Sequence, residues 1–512
     1  MAARMKLLGL VAVLAMSAAA AGQSLDSRVG QIIRGNDLRQ TTASVMIVDL
    51  ETGQELASLN ADDPMLPASN MKLVTTAAAL DILGKDFRFQ TRLEIVQPGK
   101  LANHVVDPNG GAVPGGGEAA TPIEPTLVLI GDGDPALGDP QVLAGSKLTV
   151  EDLLAQLVKA VKDAGVTSVG RLVVDDRVFD HQFIHEHWPI DQLQNDYCAQ
   201  VGGLNFYGNV IDVRPEPTAL GKSPRVVLEP LAPFIQTSNR AVTARNDHFE
   251  VERPLGGSDL IFRGSIASRK SVAYQVTIND PPLHTAKLLA DRLESAGVTV
   301  RAVERVGEGE LLPPGQTLFT IRTTLFEVLQ RCNTHSINLY AEALLKRMGR
   351  EFTGAPGTWN NGGSAVRDFL RRRLGPTSAV VVVDDGSGLS RENRVTSRVL
   401  VKVLQAMYAD EQLRMDYIQS LAVVGETGTI KGRLPQLKGR VFAKTGYING
   451  VSAFSGFLLT PGPDGGVERA YAFSLIFNDI PGNVRIGDVK RVQDQIVQLL
   501  DETTRATAAV TE

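Results

Sequence analysis

Cysteine is almost missing: the 512 residues hold two, Cys198 and Cys332, far apart and without metal-ligand spacing. That excludes a disulfide-stapled scaffold and a cysteine-based zinc site. One disulfide between them stays open. Two buried thiols are the expectation, because a chain this long builds its core without a staple. Aromatic residues make up 5% and the formal charge is -5, leaving neither a base-stacking platform nor a basic excess. Nucleic acid is therefore not an expected partner. Nowhere does an uninterrupted apolar run reach the ~18 to 20 residues a membrane span requires. The apolar run at the start, Leu7 to Met16, is too short for that; Arg4 and Lys6 precede it and small residues follow near Ala20 to Gly22. Residues 1–22 thus read as a cleavable secretory leader, with the mature protein soluble outside the cytoplasm.

Strand-like segments stand at both ends. "ASVMIVDL" and "QELASLN" alternate around "ETGQ", and Pro64 and Pro67 then lead into an apolar segment with helical spacing from Ser69. Near the other end, "RVFAKTGYI", "GVSAFSGFLL" and "AYAFSLIF" are joined by Asn449-Gly450 and "TPGPDGG". A helical face of Val489, Val492, Ile496, Leu499 and Leu500 follows, with a disordered tail expected from Thr503. The terminal strands can share one antiparallel sheet. Between them lie a Gly/Pro-rich stretch, "VDPNGGAVPGGGEAATPIEP", and two helix-then-strand units that both pass through "AGVT". The middle reads as an insertion of one or two α/β subdomains.

Ser69 is the only serine with a lysine three residues on. On a helix the two side chains are neighbours, and a lysine stripped of water can give a neutral amine able to take the serine proton. An isolated pair of this kind is more often a surface accident. Further along, Ser336-Ile337-Asn338 opens a helix with an apolar stripe, and Lys444-Thr445-Gly446 lies on a strand. Taken singly, Ser336 reads as a helix cap and Lys444 as an exposed edge residue. Together, S-x-x-K, S-x-N and K-T-G in that order form the signature of penicillin-recognising serine acyl-transferases. "GETGTIKG", around Thr427, has glutamate where such a strand needs lysine and reads as a turn.

The roughly 260 residues between Lys72 and Ser336 exceed what a β-lactamase carries. The chain resembles the D-Ala-D-Ala carboxypeptidase/endopeptidase family, the class C low-molecular-mass penicillin-binding proteins. "VLIGDGDPALG", "VGRLVVDDRVF", "SINLYAEALL" and "VDDGSGLSRENRV" carry the likeness, which runs from about Ser44 to Leu500. It implies an α+β multidomain fold: a transpeptidase-like (β-lactamase-like) domain, with an antiparallel sheet flanked by helices, split over 25–97 and 312–502 by inserted α/β subdomains at 98–311, before the tail at 503–512.

The resemblance makes Ser69 the acylated nucleophile and Lys72 its base. Ser336 would pass the proton to the leaving amine, and Asn338 would hold the substrate amide and contact Lys72. Lys444, Thr445 and Gly446 would bind a terminal carboxylate, and the Tyr447 N–H would join that of Ser69 as oxyanion donors. Relatives often have threonine where this chain has Tyr447, and the backbone donor survives that exchange. Arg391 matches a family arginine near the cleft, with a surface role equally open. Asp191 lies where relatives carry acidic residues for the diaminopimelate side chain, although Ile190 and Gln192 replace the usual Trp and Asp. The implied partners are peptidoglycan stem peptides and β-lactams, in the periplasm, with no stable membrane anchor and no cofactor. Asp180, His181, His185 and His187 are zinc ligands by type, but no H-E-x-x-H arrangement accompanies them, and a polar loop is the expectation. His335 reads as a bystander. No E-x-x-L-N segment, which class A β-lactamases use to position water, is present. A β-lactamase and a wall-binding protein without turnover remain the rivals.

Overall fold

The computed structural model describes residues 24–97, 124–307, 309–462 and 466–511. The leader expected over 1–22 and most of the Gly/Pro-rich stretch lie outside the described residues. Strands from both ends of the chain form one antiparallel six-stranded sheet, in the order Ala422–Val423, Val441–Ile448, Val451–Pro461, Val467–Asn478, Thr42–Asp49, Glu55–Leu59. Thr42 faces Asn478 and Asp49 faces Tyr471, which closes the split domain. Along Thr42–Asp49 the side chains alternate: Val45 and Ile47 pack with the helices Leu25–Gly35 and Ile486–Thr511, Met46 and Val48 with the opposite helical layer. Both sheet faces are therefore covered, and Ala43 to Val48 are buried without interruption. In the opposite layer, the helix Met71–Leu83 is buried on every side from Met71 to Leu80. Such a helix is a core element, not a surface one.

The middle of the chain has its own apolar core around a five-stranded mixed sheet, in the order Val303–Arg305, Arg171–Asp175, Thr126–Ile130, Arg88–Val96, Gln316–Thr324. The two "AGVT" units lie side by side, Thr299 pairing parallel with Ser168 and Val303 with Leu172. Strands Arg88–Val96 and Gln316–Thr324 pair with each other across the boundaries expected at 97/98 and 311/312. The inserted sheet thus takes residues from both flanks, because Phe89, Leu93 and Ile95 alternate into buried positions. Conversely, Phe179, Trp188, Leu193, Cys198 and Val201 pack into the core of the split domain. Cys198 and Cys332 are buried free thiols. The last helix continues to Thr511, past the disorder expected from Thr503. Thr503 Oγ1 donates to Leu499 O, Thr504 Oγ1 donates to Asp501 O, and Arg505 pairs with Asp501 one turn back, so local bonds extend the helix beyond its apolar face.

Candidate active site

Ser69 sits on the single turn Ala68–Asn70 that opens the Met71–Leu83 helix. Ala68 is held at φ 45°. A non-glycine residue there is strained, and the packing around it must hold it in place. Gly388 supplies part of that packing, since a Cβ at Gly388 would collide with Ala68 O. Lys72 is fully buried, with Nζ 3.0 Å from Ser69 Oγ, 2.6 Å from Asn338 Oδ1 and 3.0 Å from Ser387 O. Asn338 Oδ1 and Ser387 O can only accept. A neutral amine has two hydrogens to give them and one lone pair left for the Ser69 hydroxyl. Burial pulls the Lys72 pKa down to about 8, and Cys332, Glu342 and Asp385 oppose it.

Ser336 lies between the helices Leu325–His335 and Asn338–Thr353, in the left-handed region at φ 62°. It is the C-cap residue of the first helix and does not cap the second, where Ile337 takes the N-cap position and no side-chain cap bond forms. Instead Ser336 Oγ accepts a 2.7 Å hydrogen bond from Lys444 Nζ, which also donates to Thr445 O at 2.8 Å. Lys444 is fully buried, and its strand lies inside the sheet, with Ala422–Val423 beyond it. Burial, then the neighbouring Lys72, hold its ammonium pKa well below the ordinary value. Gly446 has no room for a side chain: a Cβ would stand 2.8 Å from Pro67 O, 3.0 Å from Ser69 N and 3.1 Å from Asn70 N. The Lys444–Tyr447 backbone therefore runs against the Ser69 turn. The "GETGTIKG" segment is a turn, and its Thr429 hydroxyl lies 2.8 Å from that of Thr445.

A cleft of about 640 Å³ joins these elements, lined by Ser69, Ser336, Asn338, Arg391 and Tyr447, with His187, Gln192 and Tyr197 on the opposite wall. Asn338 Nδ2 donates to Tyr197 O at 2.8 Å and so ties that wall to the floor. Arg391 donates to Asn449 O at 2.9 Å, and both residues line the cleft. Asp191 is exposed outside the lining, and Gln192 occupies the wall in its place. His335 is exposed and is not part of the lining.

Of the zinc candidates, Asp180 accepts from Lys346 and His181 pairs with Asp176. His185 and His187 converge instead on Asp384, their ligand atoms within 4.8 Å of one another. His187 N–H donates to His185 Nδ1 at 3.2 Å, which puts the His185 proton on Nε2, facing Asp384 O at 3.0 Å. His187 Nδ1 pairs with the Asp384 carboxylate at 2.9 Å. These bonds join the cleft wall to the 384–391 loop, and the same three ligand atoms stand close enough together to hold a metal ion.

Ser387, Asp385 and Glu342 went unnoticed in the sequence. They act through backbone carbonyls and amides, which no motif spacing displays, although "VDDGSGLSRENRV" and "SINLYAEALL" contain them.

The sheet between helical layers, with a serine–lysine helix, a Ser-x-Asn turn and a Lys-Thr-Gly strand around one cleft, defines a penicillin-recognising serine peptidase fold. The D-Ala-D-Ala carboxypeptidase 3 (S13) family matches residues 25–503. The D-alanyl-D-alanine carboxypeptidase of Actinomadura sp. (strain R39) is 32% identical over 520 residues, covering 97% of this chain and 88% of that one. The D-alanyl-D-alanine carboxypeptidase DacB of Haemophilus influenzae is 25% identical over 434 residues, covering 80% and 81%. The crystal structure of penicillin-binding protein 4 (dacB) from Haemophilus influenzae shares the fold, with a TM-score of 0.72 at 21% identity over 92% of this chain and 99% of that one. The chain belongs to the D-Ala-D-Ala carboxypeptidase 3 (S13) family of serine peptidases.

Proposed function

We propose that the protein removes the terminal D-alanine from peptidoglycan stem peptides, or cuts D-Ala-to-diaminopimelate cross-links, through an ester on Ser69. The Ser69 hydroxyl oxygen attacks the scissile carbonyl as its proton passes to the Lys72 amine. The Ser69 and Tyr447 N–H groups receive the developing oxyanion. The C–N bond then breaks, and the leaving amine takes a proton through Ser336, which Lys444 orients. Water attacks the ester carbonyl, releases the shortened peptide and restores the serine. Lys444, Thr445 and Gly446 bind the terminal carboxylate, Arg391 lines the cleft, and β-lactams acylate the same serine.

The observation that carries this reading is the buried Lys72 Nζ, 3.0 Å from Ser69 Oγ and donating to two groups that can only accept, so that in its neutral form the lone pair is left for Ser69. For diaminopimelate recognition the cleft wall favours Gln192 and Tyr197 over Asp191. The expected leader supports action in the periplasm, and no helix among the described residues is long and apolar enough to cross a membrane.

The test labels the purified protein, Ser69→Ala and Lys72→Ala with a fluorescent penicillin and follows digested muropeptides by mass spectrometry. Durable Ser69-dependent label with loss of one alanine supports the carboxypeptidase, and cleaved dimers support the endopeptidase. Rapid shedding of label points to a β-lactamase, and label without peptide turnover points to a binding protein. Cleavage that survives Ser69→Ala refutes the proposal.

A further inference from the structure

Glu342 is fully buried on the Asn338–Thr353 helix, one turn after Asn338. Its carboxylate accepts the Trp359 indole N–H at 2.8 Å and the backbone N–H groups of Gly386 and Ser387 at 2.9 and 2.8 Å. A carboxylate persists in a dry interior only when donors surround it. Here two of the donors belong to a turn whose carbonyls face the nucleophile's helix. Ser387 O accepts from Lys72 Nζ at 3.0 Å and Gly386 O accepts from Thr75 Oγ1 at 2.7 Å. Glu342 thus holds the turn from below while the reactive helix holds it from above. No slack separates the layers: a Cβ at Gly386 would stand 2.5 Å from Ala341 O.

We propose that Glu342 is a positioning residue for acyl transfer, holding the Gly386–Ser387 turn so that Ser387 O takes one hydrogen of the Lys72 amine and the lone pair is left facing Ser69. The inference rests on the acyl-transfer reading of Ser69 and Lys72 above. Its charge acts as well above about pH 7, the value to which burial and then the neighbouring Asp385 push its carboxyl up, because a buried anion near the amine favours the protonated form. The other titratable groups that interact with Lys72 are Cys332, Asp385 and Lys444. Burial pushes the Cys332 thiol up to about 11, so it stays uncharged near neutrality. Asp385 is occupied by Trp188 Nε1, Asn393 Nδ2 and the N–H groups of Gly388 and Ser390. All three remain in a Glu342 variant, and Asp385, whose charge Glu342 feels, keeps those four donors.

The experiment measures the rate of acylation by a fluorescent penicillin from pH 6 to 10 for the full chain, Glu342→Gln, Glu342→Asp and Ser69→Ala, with melting temperatures alongside. Glu342→Gln removes the charge and sets an amide NH₂ against a backbone N–H. Its maximal rate is expected to fall about 10- to 100-fold, as small misplacements at a reacting centre do. Its acidic limb moves to lower pH by roughly one unit, the size of effect a nearby charge exerts. Glu342→Asp keeps the charge on a shorter arm, so its rate falls while the limb stays in place. A folded Glu342→Gln with the wild-type rate, or with a reduced rate and an unmoved limb, overturns the positioning role and leaves the acyl-transfer reading intact. If Glu342→Gln does not fold, Glu342→Asp decides: an unchanged rate overturns the inference. A wild-type chain that takes no label at Ser69 overturns both.

Discussion

Lys72 carries the pH dependence of the chemistry, because only its neutral amine can accept the Ser69 proton. With burial holding its pKa down to about 8, acylation is expected to rise roughly tenfold per pH unit on the acid side and level off above that value. A pH–rate profile checks this, and a flat profile would remove Lys72 from the role of base. The same shift has a fixed sign in stability. The unfolded chain keeps the Lys72 proton up to its ordinary value of 10.5 and the folded chain releases it near 8. The penalty for the buried ammonium is therefore complete below pH 8 and is relieved as pH climbs toward 10.5. The unfolding free energy of the wild type minus that of Lys72→Met should grow by a few (~1–3) kcal/mol across that window. Denaturant titrations at the two ends read the change, and a difference that stays constant contradicts it. Gly446→Ala tests the contact between strand and nucleophile. Its Cβ would press on Pro67 O, Ser69 N and Asn70 N, three backbone atoms that cannot swing aside. Acylation should fall about 100-fold together with a lowered melting temperature, and a wild-type rate would mean that the strand does not set the Ser69 turn.

Elements bring these residues together, and their legibility in sequence follows the range of the interaction. The Ser69–Lys72 pair was readable because one helical turn makes it a local contact, and Lys444 because a strand motif carries it. The alternating termini foretold a shared antiparallel sheet, which Thr42–Asp49 and Val467–Asn478 form. Read alone, Ser336 looked like a helix cap and Lys444 like an edge residue; only tertiary packing buries Lys444 and turns its ammonium onto Ser336. The cleft wall was hidden for the same reason. Trp188 and its neighbours lie inside the inserted sequence, yet they pack on the split domain and meet a loop about 200 residues away. That junction is testable. Trp188 Nε1 donates to Asp385 Oδ2 at 3.0 Å in the buried interior. Trp188→Phe keeps most of the packing and deletes the donor, so it should cost about 1–3 kcal/mol. Because Asp385 also holds Gly388 and Ser390, the loop it organises should loosen, with a raised KM for a peptide substrate and a smaller change in kcat. A loss confined to stability would show that the wall and the loop are not coupled through this bond.

At the scale of the whole molecule, the apolar cores do not divide where the sequence divides. The core around Leu127, Leu172 and Leu289 belongs to the inserted sheet, whereas the core around Leu73, Leu344 and Val403 also takes in Trp188, Cys198 and Val201. An acyl group on Ser69 stabilises only those openings of the chain that would destroy its site. Hydrogen exchange of the β-lactam-acylated protein is therefore expected to slow in Met71–Leu83, Asn338–Thr353 and Val441–Ile448, and also in the 188–201 segment despite its place in the inserted sequence. Thr126–Ile130, Arg171–Asp175 and Pro281–Ser295 should exchange as before, because their opening leaves the acyl ester untouched. Equal slowing throughout would mean that the two cores open as one cooperative unit. Slowing that spares 188–201 would detach the wall from the catalytic core and leave Gln192 and Tyr197 free to move independently of Ser69.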